Sequence, residues 1–215
     1  MEITTAAGPA QAEVDETGQP AFLLVLTHGA GGGVTGSDLM AASAAARGRG
    51  GLVVRVLQPY RVRGARAPGS APRQDAAWLE IIAALRERHP GLPLVQGGRS
   101  NGARVACRTA QAAGAVAVIA LAFPLHLPGK ALQPESSRAG ELRSAGVPVL
   151  VINGDRDPFG VPDPADADRL VVLAGQTHAL SGAKAAITSE VSSWLAELPI
   201  GSAIGVGKLG RESGH

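Results

Sequence analysis

Short apolar runs alternate along this chain with longer amphipathic segments. The runs are apolar over nearly their whole length and not only at every second residue, which is typical of strands buried on both faces of a parallel sheet. Six such runs occupy residues 21–27, 51–57, 93–96, 115–122, 147–153 and 169–174. Because the segments between them have room for helices, the pattern predicts an open, doubly wound, mostly parallel α/β sheet with helices on both faces.

In the segments between the runs, apolar residues recur at the spacing of an α-helix. One of them places Trp78, Ile81, Ile82 and Leu85 on a single stripe and is followed by Pro90. Helices are predicted over 38–47, 73–89, 101–113 and 183–198, with Ser37 as the candidate N-cap of the first. Residues 1–20 are predicted to form a hairpin or a sheet edge.

The size of the chain fits one domain. With 215 residues, of which 45% are hydrophobic, it can bury a core without disulfides. No internal repeat or linker is visible, and no insertion is long enough to form a large lid. We predict one domain over 1–200 and a flexible C-terminal tail over 201–215, which is rich in glycine and serine.

Composition and charge exclude several classes of function. The net charge is only +2 and the basic residues are scattered, so a nucleic-acid partner is not expected. The single cysteine, Cys107, cannot form an internal disulfide and fits a reducing compartment. Residues 1–18 lack the apolar core of a signal peptide, and the longest apolar stretch, 112–123, is too short to cross a bilayer. We therefore expect a cytoplasmic protein with no membrane partner.

A candidate nucleophile lies between the third run and the following helix. Residues 98–102 read G-R-S-N-G and match the pattern G-x-S-x-G. A serine on a tight turn from a strand into a helix must adopt a strained backbone, and the flanking glycines relieve crowding around it. The N-terminus of the helix also stabilises negative charge beside the hydroxyl. The context therefore predicts Ser100 as a catalytic nucleophile.

A serine hydroxyl needs a general base, for which we select His178. It follows the last predicted strand, at the edge of the sheet where ligands bind in open α/β folds. An acid should orient its ring, and the preceding loop offers Asp155 and Asp157. We favour Asp157, because the loop has cleared the strand there, although either acid could instead only cap a turn. The chain order Ser100, Asp157, His178 is that of α/β-hydrolases.

The first run ends in a glycine-rich loop, H-G-A-G-G-G at 28–33. Backbone N–H groups in such a loop can approach a substrate oxygen, so the amides of Ala30 and Asn101 are the predicted oxyanion donors. His28 is predicted to brace the loop and not to act as a second base.

The same loop allows an alternative interpretation as a dinucleotide-binding site, because residues 31–36 satisfy the pattern G-x-G-x-x-G. Three residues separate the strand from the first glycine, and no acid follows the second strand to hold a ribose. Arg61 and Arg63 could meet a 2′-phosphate, which keeps a nucleotide-dependent reductase as an alternative. Metal ligation is not expected, since Cys107 is the only cysteine and no histidine pair has ligand spacing.

Six short motifs occur in order along the chain: L-T-H-G-A-G-G-G (26–33), Q-P-Y (58–60), Q-G-G-R-S-N-G-A (96–103), F-P-L-H-L-P-G-K (123–130), N-G-D-R-D-P-F-G (153–160) and Q-T-H (176–178). With this set the chain resembles a small branch of α/β-hydrolases related to dienelactone hydrolases. That branch includes bacterial proteins of this length and animal relatives, one of them a subunit of a chromatin-acetylating complex. The resemblance implies a triad of Ser100, Asp157 and His178 and an oxyanion loop at 28–31. Dienelactone hydrolases proper have cysteine at the position of Ser100, so their substrate is not implied.

Together these features predict a serine hydrolase that acts on small carboxylic esters through an acyl-enzyme. It should need no cofactor and no metal, take a small-molecule ester as its partner, and exist as a monomer or homodimer. The alternative from another class is a binding or scaffold protein that keeps the fold without catalysis.

Overall fold

A single eight-stranded sheet forms the centre of the protein. The computed structural model describes residues 1–15, 18–127, 129–130 and 133–200, so the predicted tail at 201–215 lies outside the described residues. The strands are β1 Glu2–Thr5, β2 Gly8–Asp15, β3 Phe22–Thr27, β4 Gly51–Leu57, β5 Leu94–Arg99, β6 Ala115–Leu121, β7 Val149–Gly154 and β8 Arg169–Leu173.

The strand order across the sheet is β1-β2-β4-β3-β5-β6-β7-β8. Strands β1 and β2 form an antiparallel hairpin, and β2 also runs antiparallel to β4. The remaining neighbours are all parallel. The prediction of a doubly wound, mostly parallel sheet is therefore confirmed, as is the hairpin near the N-terminus. No separate lid domain is formed by the described segments that connect the strands.

Helices cover both faces of the sheet. They are α1 Ser37–Gly48, α2 Pro59–Val62, α3 Ala71–Arg88, α4 Asn101–Ala113, α5 Ala139–Arg143 and α6 Lys184–Glu197, with 3-10 turns at Pro134–Ser136 and Pro164–Asp166. Helices α3, α4 and α5 pack on one face, and α1 and α6 pack on the other. Alternate residues of β3 supply the two cores: Leu23 faces the first group, and Leu24 faces the second. Both faces are covered, which explains the continuous apolarity of the strands.

The start of α1 differs from the prediction. Ser37 is the first helical residue and not the N-cap, which is Gly36 and forms no side-chain cap. The carboxylate of buried Asp38 instead accepts a hydrogen bond of 2.8 Å from the Leu39 amide. Helices α2 and α5 were not predicted, because four and five residues are too few to show a helical period.

A buried polar link fixes α4 against the sheet. The Trp78 indole of α3 donates to the side-chain oxygen of Gln96 in β5 over 2.9 Å, and the side-chain nitrogen of Gln96 donates to the Ala106 carbonyl of α4 over 2.7 Å. Because a buried amide must be hydrogen-bonded, this chain of contacts sets the relative positions of the three elements.

Of the helices in these parts of the chain, none combines the length and the apolarity that crossing a bilayer requires.

Candidate active site

The turn between β5 and α4 holds Ser100 in a backbone conformation that residues other than glycine rarely adopt. Its φ is 52° and its ψ is −114°. The Ser100 amide donates to the Leu121 carbonyl over 2.9 Å, which ties the turn to β6. A Cβ atom on either Gly98 or Gly102 would lie 2.6 Å from the Thr27 carbonyl oxygen. The two glycines are therefore needed for the turn to pass this close to the end of β3.

The structure brings Ser100, His178 and Asp157 together from three separate strand ends. The Ser100 hydroxyl lies 2.9 Å from Nε2 of His178, and Nδ1 of His178 lies 2.8 Å from Oδ2 of Asp157. This geometry assigns the Nδ1–H tautomer, in which His178 donates to the carboxylate and accepts from the serine hydroxyl. The arrangement can remove a proton from the serine and hold the resulting imidazolium beside a carboxylate.

The two candidate acids have different surroundings. The Asp157 side chain is fully buried, and its Oδ1 accepts a 2.9 Å hydrogen bond from the Phe159 amide. The Phe159 ring packs on the His178 ring with centroids 4.3 Å apart. Asp155 is exposed, and its amide donates to the Leu173 carbonyl. Of the two acids, only Asp157 contacts the histidine.

Arg99 joins the histidine loop to α1, a contact that sequence reasoning missed. Its Nε pairs with Oδ2 of Asp38 at 2.8 Å, and one terminal nitrogen donates to the His178 carbonyl over 2.9 Å. Burial raises the pKa of Asp38, and the adjacent Arg99 guanidinium opposes that rise. Since Arg99 immediately precedes Ser100, one side chain fixes the position of the histidine loop relative to the serine turn.

His28 braces the glycine-rich loop, as predicted. It is fully buried, its Nδ1 donates to the Gly29 carbonyl over 2.7 Å, and its Nε2 accepts from the Gln58 amide over 3.0 Å. Burial lowers the pKa of His28, which favours the neutral ring that these bonds require. The Tyr60 hydroxyl holds the next turn of the loop by donating to the Ala30 carbonyl over 3.1 Å.

The predicted oxyanion donors belong to two segments that meet at Ser100, the start of α4 and the glycine-rich loop. Asn101 is the first residue of α4, where a backbone N–H has no acceptor inside the helix. In the described parts of the chain, neither its N–H nor that of Ala30 has a hydrogen-bond acceptor. A Cβ atom on Gly29 would lie 3.2 Å from the Cβ of Ser100, so the glycine-rich loop packs directly against the serine.

Two cavities lie beside residues that contact the glycine-rich loop or the serine turn. One of about 110 Å³ is bordered by Tyr60 and Gln74, and one of about 350 Å³ is bordered by Gly29, Arg99 and Ala179. Within the described ranges, no cluster of three or more histidine, cysteine or acidic side chains could hold a metal ion.

The arginines that could have met a cofactor phosphate are engaged elsewhere. Arg61 donates to the carbonyls of Gly32 and Ala65, each over 3.0 Å, and Arg63 donates to the Ala7 carbonyl. Arg61 therefore braces the glycine-rich loop from outside.

Comparisons with known proteins agree on the fold. Est1E from Butyrivibrio proteoclasticus has a TM-score of 0.72 at 17% identity, with 92% of this chain and 97% of that chain covered. A serine hydrolase without a lid from Xanthomonas campestris has a TM-score of 0.66 at 22% identity, covering 93% and 94%. A dienelactone hydrolase from Anabaena variabilis has a TM-score of 0.71 at 16% identity, covering 92% and 96%.

These identities establish a shared fold and nothing finer. Among curated proteins no sequence match reaches significance. Residues 20–187 match a family described as the alpha/beta hydrolase domain. That match spans the elements from β3 into α6, and the chain therefore belongs to the alpha/beta hydrolase domain family.

Proposed function

We propose that this protein is a serine hydrolase that cleaves carboxylic esters with small acyl groups. The observation that carries the proposal is the pair of contacts made by His178, at 2.9 Å to the Ser100 hydroxyl and 2.8 Å to the Asp157 carboxylate. The strained φ of Ser100 supports it, because such strain persists where the surrounding structure holds a reactive group in place.

The proposed reaction proceeds in two stages. Ser100 Oγ attacks the ester carbonyl carbon while its proton passes to Nε2 of His178. The tetrahedral intermediate then collapses, the proton is transferred to the leaving alcohol, and an acyl-enzyme remains. Water attacks the acyl-enzyme through the same base, which releases the acid and restores Ser100. Asp157 keeps the ring in the Nδ1–H tautomer and stabilises the imidazolium in both stages.

The amides of Ala30 and Asn101 are the proposed donors to the oxyanion. Asn101 follows Ser100 directly, the loop that carries Ala30 packs against Ser100 through Gly29, and neither amide has an acceptor in the described chain, which supports this role. The absence of a lid among the described segments supports small acyl groups, since little protein surface is available to bury a long chain.

The six ordered motifs and the likeness to a dienelactone hydrolase support a place in the branch related to those enzymes. Three further points stay predictions. The protein is expected to be cytoplasmic, to act on a small-molecule ester without a nucleic-acid or membrane partner, and to be a monomer or homodimer.

Labelling with a serine-reactive fluorophosphonate, together with hydrolysis of 4-nitrophenyl acetate, tests the proposal. Ser100→Ala should abolish labelling and lower turnover on the order of 10³-fold or more, leaving the contribution of the oxyanion donors. Ser193→Ala, which changes an exposed serine on α6, is the matched control and should behave as the wild type. Labelling that persists in Ser100→Ala would place the nucleophile elsewhere, whereas a wild type that is neither labelled nor active would favour the scaffold alternative.

A further inference from the structure

The glycine-rich loop does not fix its own shape. Gly31 and Gly33 have no positive φ, so the backbone conformation does not require glycine at these positions. A Cβ atom on either residue would meet no heavy atom within 4 Å beyond its chain neighbours, so packing does not require glycine there either. Because glycine leaves the backbone more freedom than any other residue, the shape of the loop depends on hydrogen bonds that hold its peptide groups.

Ala30 lies in a tight turn, and the peptide group before it is held by its oxygen. The Gly32 amide donates to the Gly29 carbonyl over 3.0 Å, which closes a β-turn with Ala30 as its second residue. The same Gly29 oxygen accepts a hydrogen bond from Nδ1 of His28 over 2.7 Å. Because a peptide group is planar and trans, bonds that hold the Gly29 oxygen on one side direct the Ala30 N–H to the opposite side.

Tyr60 holds the peptide group that follows Ala30. Its hydroxyl, carried by the short helix α2, donates to the Ala30 carbonyl over 3.1 Å. With the oxygens of Gly29 and Ala30 both held, the planar groups on the two sides of the Ala30 Cα are fixed, and so are the rotations about its backbone bonds. Tyr60 therefore acts on the direction of the Ala30 N–H through the backbone, from the carbonyl side of the residue.

The position of Tyr60 is itself fixed. The residue is buried, and the centroid of its ring lies 5.7 Å from that of the His28 ring. Gln58, at the start of the same segment, donates its backbone N–H to Nε2 of His28 over 3.0 Å and its side-chain amide to the Thr27 hydroxyl over 3.2 Å. Burial raises the pKa of Tyr60 to about 12, so its hydroxyl keeps the proton that it donates throughout the neutral range.

We propose that Tyr60 is a positioning residue of the hydrolytic reaction, which holds the Ala30 N–H in the direction that the oxyanion requires. The inference rests on the proposed function and gives a role to the motif Q-P-Y at 58–60, which the triad leaves unexplained. The ester oxygen becomes fully charged only in the tetrahedral intermediate, so a donor held in place stabilises the transition state more than the bound substrate. Removing the Tyr60 hydroxyl should therefore lower kcat and leave KM nearly unchanged.

Tyr60→Phe removes the hydroxyl and keeps the ring. Loss of an oxyanion donor costs about 10²–10³-fold in kcat, and a donor that is present but less well held should cost about tenfold. The matched control is Thr188→Val, which removes a hydroxyl that donates to the Lys184 carbonyl over 2.9 Å in α6 and should leave kcat as in the wild type. Both variants are assayed with 4-nitrophenyl acetate, and their melting temperatures verify that they are folded at the assay temperature.

Inhibition by butyl trifluoromethyl ketone separates a positioning role from a merely structural one. Ser100 Oγ adds to the ketone carbon, the serine proton passes to Nε2 of His178, and the ketone oxygen becomes an oxyanion that meets the same donors. The corresponding secondary alcohol has no carbonyl and cannot form this adduct. Tyr60→Phe should weaken inhibition by the ketone by the factor that it removes from kcat/KM, about tenfold, and leave inhibition by the alcohol unchanged.

The outcomes separate this inference from the proposed function. A parallel loss of kcat and of affinity for the ketone in Tyr60→Phe supports the inference. An unchanged kcat, a lower kcat without weaker inhibition by the ketone, or equal weakening of inhibition by ketone and alcohol would overturn the inference while ester hydrolysis stands. A wild-type protein that neither cleaves the ester nor is inhibited by the ketone would contradict the proposed function and the inference with it.

Discussion

At the scale of single residues, hydrogen bonds hold the side chains of the candidate site in one orientation. The buried Asp157 carboxylate uses one oxygen for the His178 ring and the other for the Phe159 amide. The two bonds hold the carboxylate in the orientation that the ring requires. Asp155 lies two residues earlier and is exposed, so the two acids form a natural pair for comparison.

Asp157→Asn should cripple ester hydrolysis, with a loss of up to about 10⁴-fold in turnover, the cost of the same change in a serine-protease triad. The amide favours the wrong histidine tautomer and removes the charge that stabilises the imidazolium. Asp155→Asn should be far milder, since its side chain is exposed. Steady-state kinetics with one ester measure the loss of turnover in each variant. Unchanged melting temperatures verify that both variants are folded. A crippled Asp155→Asn beside an active Asp157→Asn would show that the acid assignment is wrong.

At the scale of elements, the Arg99–Asp38 pair connects α1, the end of β5 and the histidine loop. Asp38 has a side chain only 2% exposed, and that of Arg99 is 23% exposed. Removing one member of such a pair leaves a buried charge without its partner, which costs more than the pair itself contributes.

Arg99→Met should therefore destabilise the protein by on the order of 2 kcal/mol. It should also lower kcat, because the His178 carbonyl loses its donor. The double variant Asp38→Asn/Arg99→Met removes the unpaired charge and should recover most of the stability but not the kcat. Urea unfolding and ester kinetics separate the two effects. A double variant with normal kcat would show that Arg99 affects stability alone.

The pair of Arg143 and Asp166 provides the control. These side chains lie 2.7 Å apart, close to the 2.8 Å of the Arg99–Asp38 pair, but the side chain of Arg143 is 62% exposed. Arg143→Met should cost no more than about 1 kcal/mol, because solvent screens such pairs.

Elements with a continuous signal could be predicted from the sequence, and elements without one could not. The predicted bounds of β4 and α4 coincide with the observed ones, since an apolar run and a helical stripe mark them. Strand β5 extends three residues beyond its apolar run, through Gly97 and Gly98. A Cβ atom at Gly97 would overlap the Ile119 carbonyl of β6, so close packing requires a glycine that the pattern of apolar residues does not register.

The candidate site, like the fold, was predictable where the sequence carries a local pattern and not elsewhere. Ser100, Asp157 and His178 each follow a strand and occur in a known order, so their proximity could be expected before the structure. The contact of Arg99 with Asp38 could not, because 61 positions separate the two residues and no local spacing relates them. Its only sequence signal is an arginine directly before the candidate nucleophile.

At the scale of the whole molecule, the reactivity of the Cys107 thiol measures how often the core opens to solvent. It is fully buried within the apolar cluster that joins α3, α4 and the sheet. Burial raises the pKa of its thiol, so little of the reactive thiolate is present. A thiol reagent should therefore reach it only when the whole domain opens.

We expect Cys107 to react with Ellman's reagent at least on the order of 10³-fold more slowly than an exposed thiol, given a typical domain stability of about 5 kcal/mol or more. The exposed comparison is the double variant Cys107→Ala/Ser193→Cys. The reaction of the wild type should accelerate with urea in parallel with global unfolding. Rapid reaction in the absence of urea, with loss of ester hydrolysis, would instead indicate an accessible thiol near the site.

The contact between α1 and α6 has a consequence for the order in which the molecule is completed. Helix α6 packs on the same face as α1, and the Thr188 hydroxyl reaches the Ala41 carbonyl across 147 positions of sequence. While the ribosome is still making the chain, Ser100 emerges long before His178, and the face beneath α6 stays uncovered until that helix follows. The contact between Ser100 and His178 therefore cannot form until at least 78 further residues have been made, and α6 covers this face of the sheet only after that.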